Sequence, residues 1–204
     1  MRTRPVALAA TAAALTLLLA ACGGSSSADS ATDAAQSSGT SGVMSMGAEA
    51  NAADISFAQL MIPHHQQALD MAEMALAQAE SPEVLELAAQ IQAAQDPEIQ
   101  MMSGWLQEWG APMKMEDDHG SHDMGGMTMS GMMSDEDMQA LADATGADFD
   151  RMWLEMMIAH HEGAIGMADQ VKAESSNANV ITLADAVISG QAAEIATMQQ
   201  LLSQ

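Results

Sequence analysis

Apolar side chains return every three or four positions along two long stretches of this chain, and each stretch is interrupted once by a turn signal. Ala, Leu, Met, Glu and Gln dominate these stretches, and all of them lose little freedom in a helix. The pattern predicts a first helix from near Asp54, an N-cap residue type, to about Glu80. Ser81-Pro82-Glu83 then restarts the chain: a cap, a proline at the first helical position, and an acid facing the helix dipole. The second helix reaches about Trp109. Two more are predicted over about 148–174 and 178–203, with Asn177 or Asn179 at the break. A short one fits 134–144, its first turn holding Asp135, Glu136 and Asp137. Residues 110–134 are rich in Gly and show no apolar period, so neither helix nor strand is predicted there. Residues 23–50 are mostly Gly, Ser, Ala, Thr and Asp and read as a tether.

The two stretches are copies of each other. Laid on 150–202 with an offset of 96, residues 54–106 are identical at 17 of 53 positions. Met61-Ile62 falls on Met157-Ile158, His64-His65 on His160-His161, and Ala68, Met71 and Ala72 on Ala164, Met167 and Ala168. Gln95, Glu98, Ile99 and Met102 fall on Gln191, Glu194, Ile195 and Met198. A bias toward alanine cannot pair histidines, glutamines and glutamates at one offset, so the repeat is real. Each copy is a helical hairpin. Two hairpins joined by a long connection predict an all-α fold, a four-helix bundle made of two repeated helical hairpins with internal pseudo-twofold symmetry. Pro63 and Pro97 interrupt the first copy where the second has Ala159 and Ala193. Each removes a helix hydrogen bond, and Pro63 directly precedes His64, so unequal holding of the two histidine pairs is expected.

The repeated residues carry the candidate chemistry. At about 100° per residue, Met61, His64, Ala68 and Met71 share one arc of the first helix, with His65 at its edge. Met157, His160, Ala164 and Met167 do the same. Gln95, Glu98 and Met102 share a face of the partner helix, as do Gln191, Glu194 and Met198. Turned inward, these faces put imidazole, thioether, carboxylate and amide side by side. Burying such groups without partners costs several kcal/mol. One solution is mutual hydrogen bonding, Glu98 or Glu194 to a histidine. The other is a bound cation, with the His pairs as ligands and Glu98 and Glu194 as ligands or as supports behind them. Met61, Met71, Met157, Met167, Met102 and Met198 are candidate ligands that core filling would equally explain. Protons compete for imidazole, so affinity should fall below about pH 6.5, the reference histidine value.

Charge and composition narrow the setting. Arg2 and Arg4 precede an apolar run from Val6 to Ala21 and then Leu19-Ala20-Ala21-Cys22, which has the form of a bacterial lipobox. Cys22 is the one cysteine, so no disulfide is available, and it is the expected site of lipidation. Loss of residues 1–21 removes two bases and no acid. Three bases then face 28 acids, a net charge of −25. Nucleic-acid binding needs a cationic footprint that three bases cannot make. An anionic membrane repels this body, so the membrane is reached through the lipid anchor only, on its outer face. Methionine is present 21 times and tyrosine not at all. Within 110–134, seven methionines accompany His119 and His122 in a Gly-rich stretch where core filling is not expected. His119, His122, Met124 and Met127 are therefore further candidate ligands. Outside the cytoplasm and without free thiol, Met and His are the soft donors on offer. They suit copper, as Cu(I) or Cu(II), better than zinc.

The strings MIPHHQQALDMA and MIAHHEGAIGMA, with QDPEIQMM and QAAEIATM, resemble the signature of the bacterial "domain of unknown function 305" family. The resemblance spans about 50–109 and 147–203. It implies a ferritin-like helical bundle, export and, in some members, copper binding and copper tolerance. By position, His64, His65, His160 and His161 with Met61, Met71, Met157 and Met167 match the family's His/Met motif. Pro97 departs from it. The function expected is copper binding or buffering, not catalysis, with room for a copper-handling protein partner and with the oligomeric state open. Two alternatives stand beside it. One is a metal-free interaction module whose polar core fixes helix register. The other is a di-iron oxidase, which needs Glu-x-x-His on core helices. Here that spacing occurs only at Glu116–His119, in the linker.

Overall fold

The computed structural model describes residues 49–114 and 130–204, within a unit running from Met44 to Gln204. Five helices form, with no strand among the described residues: α1 (Ala52–Gln78), α2 (Pro82–Glu108), α3 (Asp135–Asp143), α4 (Gly146–Glu174) and α5 (Ala178–Leu202). Four are long and make the bundle. α3 is short, and of its residues only Leu141 is buried.

The ends follow the capping chemistry. α1 begins one turn before the predicted Asp54, because Asn51 is the cap and Asp54 closes a capping box from the third position. Ser81 caps α2 with Pro82 behind it, Ser134 caps α3 in a capping box with Asp137, and Asn177 caps α5. Pro63 and Pro97 lie within continuous helices, and both are exposed on the outer face.

The helices pair as the repeat predicts, α1 with α2 and α4 with α5, and α1 and α4 pack together between the pairs. The core divides into two apolar halves. The first takes Phe57 to Met61 from α1, Met102 and Leu106 from α2, Ala164 to Val171 from α4 and Val180 to Val187 from α5. The second takes Ala68 to Ala75, Val84 to Ile91, Phe149 to Met157 and Met198 from the same helices, with Leu141 of α3. The offset of 96 carries each half onto the other: Phe57 onto Trp153, Met61 onto Met157, Ile91 onto Val187. Along every long helix a buried polar residue separates the two runs: His64 and His65, Gln95, His160 and His161, Gln191. A polar layer therefore crosses the middle of the bundle. Among the described residues only α5 is long and apolar enough to cross a membrane, and its buried side belongs to this core.

Trp153 locks the second half. Its ring is fully buried and its indole N–H donates to the Met71 carbonyl at 2.8 Å, joining α4 to α1. Trp153→Phe keeps an aromatic ring but leaves a void and loses this bond. It is expected to lower the unfolding free energy by about 1–3 kcal/mol in urea denaturation. An unchanged midpoint would contradict the role assigned to this bond.

Candidate metal centre

All four histidines of the repeat are fully buried. His64 of α1 and His160 of α4 meet across the helix interface with ring centroids 3.8 Å apart, tilted by 41°. They are counterparts under the repeat offset, so the pseudo-twofold axis relates these two rings. His65 and His161 turn outward to the partner helices. His65 Nε2–H donates to Glu98 of α2 at 2.7 Å, and His161 Nε2–H donates to Glu194 of α5 at the same distance. Each glutamate keeps about a fifth of its side chain in solvent. Its charge is thus hydrated on one side and held by a ring N–H on the other. These two His–Glu bonds are equal in length although Pro63 precedes only the first pair.

The inequality between repeats arises elsewhere. His64 Nε2 lies 3.1 Å from the Ser130 carbonyl, which can only accept, so Nε2 carries the proton. His160 makes no well-formed hydrogen bond on either ring nitrogen, only a weak polar approach to the His64 backbone. Among the described residues nine buried side-chain N and O atoms lack a well-formed hydrogen bond, and eight belong to this layer: His64, His65 and His161 Nδ1, both His160 nitrogens, both polar atoms of Gln95 and Gln191 Oε1. Orphans normally cost about 1–3 kcal/mol each. Here they are concentrated in one layer. At His64, His65 and His161 an acceptor places a proton on Nε2, and the Nδ1 atom is buried without a partner. An oriented imidazole backed by a carboxylate or carbonyl is the usual posture of a metal-ligating histidine.

The thioethers flank the layer. Met61, Met102 and Met167 are buried in the first apolar half, Met71, Met157 and Met198 in the second, three on each side and exchanged by the repeat. They fill the two core halves on either side of the polar layer. Among the described residues no three His, Cys, Asp or Glu side chains converge into a ready cluster. A soft ion here would have to draw on thioether as well as imidazole. His119, His122, Met124, Met127 and Cys22 lie outside the described residues. Nearer the ends of the linker, Met113 is exposed, whereas Met133 is half-buried against the second apolar half. The expectation that none of the linker methionines packs therefore fails at Met133, whose backbone is held by Gln67.

Burial holds the central pair neutral. Loss of hydration lowers the His64 pKa to about 4, only partly offset by the Ser130 hydrogen bond, with His65 and His161 adding repulsion. His160 is lowered to about 2, again chiefly by burial and then by the His64 ring beside it. Proton competition at these two rings thus begins well below the pH 6.5 expected from sequence.

Known proteins place this geometry. Residues 54–202 match the family model described as domain of unknown function (DUF305). No curated protein gives a significant match. Among solved structures the chain is similar to CopM in its Cu(II)-bound form, with 39% identity over 74% of this chain and 95% of that one, at a TM-score of 0.62. CopM in its Cu(I)-bound form gives 37% identity over the same shares, at 0.61. A putative secreted DUF305 protein from Streptomyces coelicolor is 33% identical over 74% of this chain and 91% of that one, at 0.66. CopM also has silver-bound and apo forms.

The depressed pKa values have a consequence for stability. Below pH 6.5 the unfolded chain protonates these histidines, while the native bundle does so only near pH 4 at His64 and near 2 at His160. Stability from the neutral pair is full above 6.5 and drains away as pH falls, on the order of 3 kcal/mol for His64 by pH 4. Metal-free protein should lose melting temperature steadily between pH 6.5 and 4. The double variant His64→Gln/His160→Gln should lose most of that slope. An equal slope in both proteins would show that the pair is not buried neutral.

Proposed function

The chain belongs to the DUF305 family, and from that premise we propose that it is an exported, lipid-anchored copper-binding protein that buffers copper or hands it on through imidazole and thioether. The observation that carries the reading is the buried layer of oriented, unpartnered ring nitrogens between two sets of three methionines. Soft donors without thiol favour Cu(I), and imidazole also accepts Cu(II). The copper- and silver-bound forms of CopM support the same choice of ion. His64, His65, His160 and His161 are the ligands proposed first, with Met61 and Met157 one turn before each pair. Glu98 and Glu194 act behind His65 and His161, holding the rings and balancing charge. The excess of 28 acids over five bases draws cations toward the protein. Acylation of Cys22 on the outer face of the membrane completes the proposal.

A di-iron reading is poorly served. Glu98 and Glu194 are the layer's carboxylates and both are engaged by histidine, and no bundle helix carries Glu-x-x-His. A metal-free module has the two His–Glu pairs in its favour, but it leaves His160 unexplained.

Replacing all four histidines by Asn in the mature chain should abolish the tightest Cu(I) site in chelator competition. His160→Gln alone, which breaks no well-formed hydrogen bond, should weaken it at least tenfold without loss of helicity. Undiminished Cu(I) affinity in both variants would overturn the proposal.

A further inference from the structure

The linker between the hairpins does not simply hang between its ends. It is fastened to α1 twice. Gln59 donates to the Pro112 carbonyl at 2.8 Å as the chain leaves. As it returns, Gln67 grips Met133 at two points, accepting from its N–H at 2.8 Å and donating to its carbonyl at 2.9 Å. Between them, Ser130 and Gly131 press onto α4. A Cβ on Gly163 would collide with the Ser130 carbonyl, and one on Gly131 would stand 2.6 Å from the Ala159 carbonyl. Gly131 also has φ of 82°, open to glycine at little strain. Four residues thus cross the α1/α4 interface at the height of the His64/His160 pair, and the Ser130 carbonyl accepts a hydrogen bond from His64 Nε2–H.

The two residues that admit the crossing are counterparts: Gln67 plus 96 is Gly163. Where the first repeat has a clamp, the second has a bare backbone. The crossing therefore sits on the pseudo-twofold axis and breaks it, tying one central histidine and leaving the other without a well-formed hydrogen bond. Nothing in loop closure requires this, since a slack connection would close at little cost.

We propose that residues 130–133 are a positioning strap that makes the two central histidines unequal: His64 is a pre-set Nδ1 donor, held by Ser130, and His160 is the less constrained ring that reorients when a metal binds. Gln67 and Gly163 are the positioning residues. Neither touches the ion; both act through the Ser130–His64 bond. This rests on the copper reading for its purpose, but the strap itself is visible without metal.

The test uses the full mature chain with Gln67→Ala, Gly163→Ala and, as control, Gly166→Ala, whose Cβ would meet nothing within 4 Å. Imidazole nitrogen NMR of metal-free protein reads the tautomer of each ring, and competition with a chelator reads Cu(I) affinity. In the parent and the control, His64 should show one Nε2–H tautomer and His160 a different, averaged signal. Either strap variant should bring the two signals together, speed exchange of the Met133 amide and weaken Cu(I) about 10–100-fold, the usual cost of losing a group that orients a ligand. Helicity should not change. The proposal is overturned if His64 keeps its single tautomer in both strap variants, or if Cu(I) affinity stays within twofold of the parent while the parent binds through its histidines. If the parent does not bind through them, the copper reading fails first, and unequal rings in the metal-free parent, merging in the variants, still support the strap.

Discussion

Four imidazoles cut off from water set the terms for the rest of this bundle. A histidine buried without partners must either stay neutral or find a charge to hold, and both solutions are used. His65 and His161 donate their N–H groups to glutamates at the solvent edge, and His64 and His160 meet as tilted rings with strongly depressed basicity. The cost is confined to one layer because apolar packing is complete on either side of it. Phe57, Met61 and Leu106 close one half and Trp153, Met157 and Ile91 the other, all fully buried. Hydrophobic burial in the two halves carries the stability, so the layer between them is free to be poorly satisfied.

Duplication explains how such a layer arises. One hairpin with His-His in its first helix and Gln-x-x-Glu in its second cannot bury both faces of the motif alone. Two copies packed antiparallel bring the motifs together at the axis and exchange the halves of the core. Exact symmetry would make His64 and His160 equivalent. The strap at 130–133 removes that equivalence, since one chain segment cannot cross a twofold axis symmetrically. A pre-set donor beside a less constrained one suits the copper handling proposed above.

Much of this was legible from the residues. The helices followed from apolar spacing and caps, and the repeat was carried by identities too varied in type to come from composition. Inward placement of His64, His65, His160 and His161 followed from helical arcs that the repeat doubled. The start of α1 was set one turn too late because Asp54 is as good a cap type as Asn51, and only the reciprocal capping box separates them. Gln95 and Gln191 lay on the right faces, but sequence alone gave no sign that their amides would be orphaned. The strap was not legible, because Gln67 and Gly163 differ between the copies and a search for identity passes over them. A glycine on the inner face of a helix, opposite a glutamine in the other copy, was the available signal.

The account stands or falls on where copper binds. Anomalous diffraction at the copper edge from crystals of the Cu(I)-loaded mature chain locates the ion directly. The account predicts a peak in the polar layer between α1 and α4, within bonding distance of an imidazole nitrogen and a methionine sulfur. Copper found only along the linker or on the acidic surface, with the four histidines as they stand here, would contradict it.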